Sequence, residues 1–139
     1  MNNQKILKKF INLIMRDGKK SIANKVLKSS INRASKQLNL SENELLTQCL
    51  MNVKPSIDAR SKRVGSTSYI IPYAITDEQS TNLALKIIIK AARDRKEKSF
   101  IDRLVNEFVD AVNNRGNSVK RKNEIHKLAE ANKSFAFFR

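Results

Sequence analysis

Apolar residues recur at helical spacing along most of this chain, and one central stretch breaks into alternation. Ile6, Leu7, Phe10, Ile11 and Ile14 mark one side of a helix over residues 4–16, with Asp17-Gly18 punctuating its end. A second helical pattern carries Ile22, Val26, Leu27, Ile31, Ala34 and Leu38 on one side, while Lys25, Lys28, Arg33 and Lys36 fall mostly on the others. Ser41 and Glu44 form a capping-box signature opening a third, less basic helix with Leu45, Leu46, Cys49 and Leu50. Lys54-Pro55 ends it, because proline disfavours helical geometry in the residue before it.

Period-two alternation then takes over. Asp58, Arg60 and Lys62 share one face of an extended segment, and Tyr69, Ile71, Tyr73 and Ile75 share a face of a second. Val64-Gly65-Ser66-Thr67 lies between them, so residues 57–76 read as a β-hairpin whose arms of roughly eight residues reach about 25 Å. An apolar second strand beside a basic first strand and a polar tip predicts a base that packs and a tip that projects. Three more helical segments follow. Leu83, Ile87, Ile88 and Ala91 mark the fourth, with Ala92 to Lys96 as a basic exit. Ser99 caps the fifth, which carries Ile101, Leu104, Val105, Phe108 and Val112 and which Gly116 stops. The sixth starts between Ser118 and Lys122 and turns Ile125, Leu128 and Ala129 inward. The expectation is a mainly α, six-helix domain with one protruding β-hairpin, a single unit over residues 1–139 without repeat or linker.

Charge changes this picture most. The chain has 28 Lys and Arg against 13 Asp and Glu, a formal charge of +15. A folded protein with that excess repels itself unless a polyanion is present, which points to nucleic acid or an anionic membrane. No apolar run approaches the roughly 18 residues that span a bilayer, and Lys8-Lys9, Asn12 and Arg16 interrupt any signal-like core, so a membrane partner is not expected. The charge is also concentrated, since residues 1–40 hold ten cations and one acid, Asp17. Cys49 and His126 are each the only residue of their type, which excludes an intrachain disulfide and a structural zinc site. Neither a metal nor a cofactor is expected. Lys, Asn and Ile are plentiful and Trp is absent, a bias that fits an A+T-rich coding genome.

Each candidate site has a plain alternative. Lys19 and Lys20 follow Gly18 at a helix start and suit a phosphate, or are a solvated face; the surrounding block of positive charge favours the phosphate. Arg60, Lys62 and Arg63 beside Gly65 form an RNA backbone clamp, or protect an edge strand. Tyr69 and Tyr73 fit strand packing better than base stacking, and Phe135, Phe137 and Phe138 fit docking of the C-terminus better than a stacking platform. Cys49 sits on an apolar stripe as a small core residue, and His126 reads as satisfied or RNA-facing rather than as a general base. No paired catalytic groups occur, so the chain is not expected to be an enzyme.

Several motifs together resemble the S-seven family of small-ribosomal-subunit proteins. Phe10 through Ser21, F-I-N-L-I-M-R-D-G-K-K-S, resembles the family's first-helix signature and its turn. Val53-Lys54-Pro55, Lys62-Arg63-Val64-Gly65, Tyr69 and Pro72 resemble its hairpin. Asn82 to Leu85, Ala91-Ala92-Arg93, Lys98-Ser99, Leu104, Asn106-Glu107 and Asp110-Ala111 follow its fourth and fifth helices. His126, Leu128 to Lys133, Phe135-Ala136 and Arg139 are the most specific part. The resemblance spans nearly the whole chain in order.

That resemblance implies binding to the 3′ major domain of small-subunit rRNA, nucleation of head assembly, and a ribbon beside the exit-site tRNA and the mRNA path. It implies rRNA contact by Lys19, Lys20, Arg60, Lys62, Arg63, Arg93, Arg95, Lys120, Arg121 and Lys122, and an exit-site neighbourhood at Val64, Gly65 and Ser66. Expected partners are small-subunit rRNA and neighbouring head proteins, with no small-molecule substrate. The sequence departs from the family in opening almost at the first helix, in Ser66 at the turn's second glycine, in Ser80-Thr81 where basic residues are common, and in Ile87 for a tryptophan. With the A+T-type composition, these departures suggest a mitochondrial ribosome, with a plastid ribosome or the bacterial cytoplasm as alternatives. A DNA-bending architectural protein and an RNA-processing enzyme are the rival functions.

Overall fold

The computed structural model describes residues 3–138, the side chains of residues 136–138 excepted. The described residues form α1 (Asn3–Ile14), α2 (Lys20–Leu38), α3 (Glu42–Val53), β1 (Ile57–Val64), β2 (Thr67–Ala74), α4 (Asp77–Arg93), α5 (Phe100–Val112), α6 (Asn117–Ala131) and a short 3-10 helix, Lys133–Phe138. The six helices and the antiparallel hairpin are the architecture that the hydrophobic periods predict.

Local chemistry sets the boundaries. Asp17 and Gly18 both take positive φ, 56° and 73°, so two successive left-handed residues reverse the chain between α1 and α2. Asn39 ends α2 in the left-handed region, and the Leu40 N–H closes the turn on the Ser35 carbonyl at 3.0 Å. The Ser41 hydroxyl accepts from the Glu44 N–H and the Ser99 hydroxyl from the Ile101 N–H; a fully reciprocal capping box forms at Thr76 and Gln79. Gly116 does not stop α5. That helix ends at Val112, with Asn114 left-handed at φ 56°, and Gly116 at φ 93° precedes α6 instead.

α5 lies at the centre and packs against α2, α3, α4 and α6. Its Leu104, Phe108 and Ala111 are fully buried, and Phe10 of α1 meets Phe108 edge-on at 5.8 Å. Asn52 ties α3 to the end of α5 by donating to the Ala111 carbonyl at 2.8 Å and the Val112 carbonyl at 3.1 Å. On α6, Ile125 and Ala129 are buried as expected, but Leu128 is 37% exposed. It sits at the edge of the stripe, so Ile125 is the residue that anchors this helix.

The hairpin pairs Ile57 with Ala74 through Val64 with Thr67, which leaves Gly65-Ser66 as a two-residue turn. Gly65 alone of the two has positive φ, 65°, matching a turn with glycine first and allowing serine second. Ile71 and Pro72 are buried, and the hairpin lies against α6 and the 3-10 helix. Tyr69 packs on Phe135 with ring centroids 4.8 Å apart, so the packed portion runs further towards the tip than the alternation suggests. Residues 65–68 remain exposed. The Phe137 and Phe138 side chains, expected to dock the C-terminus, lie outside those described.

Candidate nucleic-acid interface

All but one of the cations expected to meet RNA fall into three places, and the exception, Arg95, is bonded inside the protein. At the α1–α2 corner, Lys19 and Lys20 are exposed where α2 begins without a side-chain cap, so its first N–H groups add to the attraction for an anion. Arg93, at the end of α4, is brought to the same place. With Arg16, Lys19 and Arg103 it borders a groove of about 400 Å³ floored by apolar side chains, Ile22 and Phe100 among them. Burial and the neighbouring Arg16 charge hold the Arg93 guanidinium below its ordinary pKa.

The second place is the hairpin. Arg60 pairs with Asp58 at 3.0 Å and lies over the Tyr73 ring, 5.2 Å from its centroid. Arg60 is thereby held flat along the strand, and Tyr73 is its support, in keeping with a packing role for the tyrosine. Lys62 is half-buried opposite Tyr69, and Arg63 is exposed and donates to the Gly65 carbonyl at 3.3 Å. Replacing Val64–Thr67 with a tight two-residue turn shortens the exposed end of the hairpin, of which Val64 alone is half-buried, and leaves the Tyr69–Phe135 contact in place. The thermal midpoint is expected to stay within about 4 °C of the parent in a melt followed by circular dichroism.

The third place is a groove of about 620 Å³ between α4 and α6. Lys120 and Arg121 border it from α6, and Lys86 and Lys90 from α4, while Arg121 also meets Glu124 at 3.4 Å. Lys122 turns partly inward, where its charge bears on His126. The Lys86–Lys90 pair was readable as an i, i+4 spacing on the polar face of the fourth helix. Arg103 carried no such signal, because it becomes a neighbour of Arg16 and Arg93 only through tertiary packing.

Arg95 is employed inside the protein. Its guanidinium bonds Glu107 and Asp110 at 3.0 Å each and Glu97 at 3.2 Å, and its side chain is only 20% exposed. Burial alone would lower its pKa, but hydrogen bonds to Glu97, Asp110 and Glu107 outweigh that and raise it. Glu107 is fully buried and also accepts from the Ser118 N–H at 3.0 Å and from the Ser118 hydroxyl. This network joins the α4–α5 turn, α5 and the start of α6, and so sets where α6 presents its cations.

His126 is satisfied within the fold. Its Nε2 accepts from the Ser56 N–H at 3.0 Å, which places the ring proton on Nδ1 and ties α6 to the foot of the hairpin. Burial, then the Lys122 charge, holds its pKa below 6.5. The unfolded chain therefore binds the proton more readily than the folded one, so stability is full above 6.5 and is lost as pH falls towards the folded value. Melts from pH 7.5 to 5 are expected to drop more steeply for the parent than for His126→Gln. Parallel curves would contradict this role.

Cys49 donates to the Phe108 carbonyl at 3.4 Å, and burial, then Glu107, pushes its thiol up to about 12, so it is a core residue and not a nucleophile. Among the described residues no group of three or more His, Cys, Asp or Glu side chains could hold a metal ion, and no helix is long and apolar enough to cross a membrane.

These features define a class: a basic helical domain with one β-arm, its cations gathered at a few surfaces around an apolar helical core. Within that class the chain belongs to the family described as Ribosomal protein S7p/S5e, whose profile matches residues 1–133. It is similar to the protein named small ribosomal subunit protein uS7 in several bacteria. Identity is 44% with that of Dichelobacter nodosus, covering 94% of this chain and 84% of the relative. It is 43% with that of Dinoroseobacter shibae, covering 97% and 86%, and 42% with that of Wigglesworthia glossinidia brevipalpis, covering 99% and 88%. The chain is accordingly a ribosomal structural protein and not an enzyme.

Proposed function

We propose that this chain acts in the small ribosomal subunit, where residues 1–139 work as one rRNA-binding domain on the 3′ major, or head, domain and nucleate assembly of the head. The observation that carries this reading is the gathering of cations at the α1–α2 corner, the hairpin and the α4–α6 groove, on a chain whose relatives are named small ribosomal subunit proteins. The rRNA contacts fall to Lys19, Lys20, Arg60, Lys62, Arg63, Arg93, Lys120, Arg121 and Lys122, with Arg95 left to hold the fold. Phosphate contacts of this kind position the RNA and make binding salt-dependent.

Val64, Gly65 and Ser66 would lie beside the exit-site tRNA and the mRNA path, with neighbouring head proteins as further partners. Gly65 and Ser66 are exposed at the tip and Val64 is half-buried beside them, which supports that placement. Subunits carrying the shortened hairpin should assemble yet retain exit-site tRNA or reading frame differently. The bacterial relatives favour a ribosome of the bacterial cytoplasm over the mitochondrial or plastid ribosome that composition and departures from the family suggest.

The DNA-bending rival loses its main support in the hairpin. A minor-groove wedge is a proline or large apolar side chain at the tip, whereas the turn here is Gly65-Ser66 and Pro72 is buried near the hairpin's foot. Sedimentation of ribosomal particles from the source cells through a high-salt cushion tests the proposal. The protein should remain with the small subunit, and its appearance only in ribosome-free fractions would refute the assignment.

A further inference from the structure

The groove at the α1–α2 corner differs from the other cationic surfaces in two ways. Cations border it without an acid, whereas Asp94 and Glu124 border the α4–α6 groove. Among the described residues no carboxylate pairs with Arg16, Lys19 or Arg93. The Arg103 Nε is held by the Glu97 carbonyl, which fixes that guanidinium at the rim. The rest of the lining is apolar, and Ile22 in it is 56% exposed, so an apolar surface lies open beside the cations.

We propose that this groove seats a single unstacked nucleotide of an RNA loop, its phosphate held by Arg16, Lys19, Arg93 and Arg103 and its base laid on Ile22 and Phe100. The inference rests on the RNA-binding reading above and adds which form of RNA the corner takes. A double helix presents phosphates and 2′-hydroxyls to a protein and would leave the apolar floor uncovered. An unstacked nucleotide offers an anion and an aromatic face together, and guanidinium planes stack on that face as well as bonding phosphate. The volume of about 400 Å³ lies within the range of pockets that take small organic groups. Crowded like charges explain why the site favours an anion. Arg93 already feels Arg16 as a repulsive neighbour, and a phosphate between them relieves that repulsion.

The test compares the full-length protein's affinity for a labelled single-stranded RNA octamer with its affinity for the same sequence as a duplex. Ile22→Ser changes an exposed position and removes only the floor. It is expected to lower the ratio of octamer to duplex affinity by roughly 5- to 10-fold, in line with the loss of an aliphatic contact beneath one base. Arg16→Gln and Arg103→Gln should each weaken the octamer about 3-fold or more. Met51→Ser, at a 71% exposed position on α3, is the control and should leave the ratio unchanged. An unchanged ratio in Ile22→Ser, with the parent's circular dichroism, would overturn the pocket while leaving RNA binding intact. Displacement of the octamer by an acidic Glu-Tyr copolymer at lower concentration than by unlabelled octamer would overturn it in favour of a peptide partner. Absence of binding to either RNA would overturn the RNA-binding reading itself.

Discussion

Glu107→Ala is expected to lower folding stability by about 2–3 kcal/mol, the largest loss expected from any single polar side chain among the described residues. Glu107 is fully buried at the crossing of three elements, where it receives Arg95 and both donors of Ser118. Truncation strands those donors away from water and leaves an empty space at the start of α6. Arg95 keeps Glu97 and Asp110, so its charge is not orphaned, which places the effect below that of breaking an isolated buried pair. Gly116 adds to the tightness. A Cβ there would lie 2.8 Å from the Asp110 Cβ, so the chain entering α6 passes close against α5 where only glycine fits. Urea unfolding checks this, and a loss under about 1 kcal/mol would show that the network is dispensable.

The second large effect concerns binding. Replacing Lys120, Arg121 and Lys122 together by Gln should weaken rRNA binding by about 1–3 kcal/mol and reduce the log–log salt slope by about 2 to 3. Lys120 and Arg121 border the α4–α6 groove, while Lys122 is half-buried and also holds the His126 pKa down, so the slope change should fall nearer the lower figure. Ile125→Asp is the companion variant. It strikes the buried anchor of α6 and should lower stability first and binding only in consequence. Thermal melts beside fragment binding at two salt concentrations separate the two. Unchanged affinity and slope in the triple Gln variant would make these residues a solvated face.

What was legible in the sequence follows from which forces act locally. Helix and strand periods reflect one face buried against a core, so Phe10, Leu27, Leu104, Phe108 and Ile125 could be read from spacing alone. Caps at Ser41 and Ser99 were legible for the same reason, since they bond residues two or three positions away. Leu128 misled because a helical stripe has an edge, and spacing does not say where the neighbouring elements stop covering it. Gly116 misled because a glycine after a helix resembles a terminator, while here Asn114 ends one helix and Gly116 enters the next.

The candidate sites divide similarly. Clusters contiguous in sequence, such as Lys19-Lys20 and Lys120 to Lys122, showed in the charge runs. Arg95 also stood in a run, but its carboxylate partners lie 2, 12 and 15 positions away, and only folding converts it from a surface cation into part of the interior. Arg16 and Arg103 make the reverse passage, from residues not among the expected RNA contacts to neighbours around one groove. Charge alone cannot distinguish these fates; the proximity of a buried carboxylate decides them.

If the gathered cations bind folded head-domain rRNA rather than any polyanion, affinity depends on which nucleic acid is offered. The measurement is the affinity of the full-length chain for a 3′ major domain fragment of small-subunit rRNA, set against a 5′ domain fragment and duplex DNA of equal length, over a range of salt. The expected result is a log–log slope of about −4 or steeper for the head fragment, from about six or more phosphate contacts, and a preference over the other two on the order of 10³ at physiological salt. A slope near zero, or equal affinity for all three nucleic acids, would contradict it.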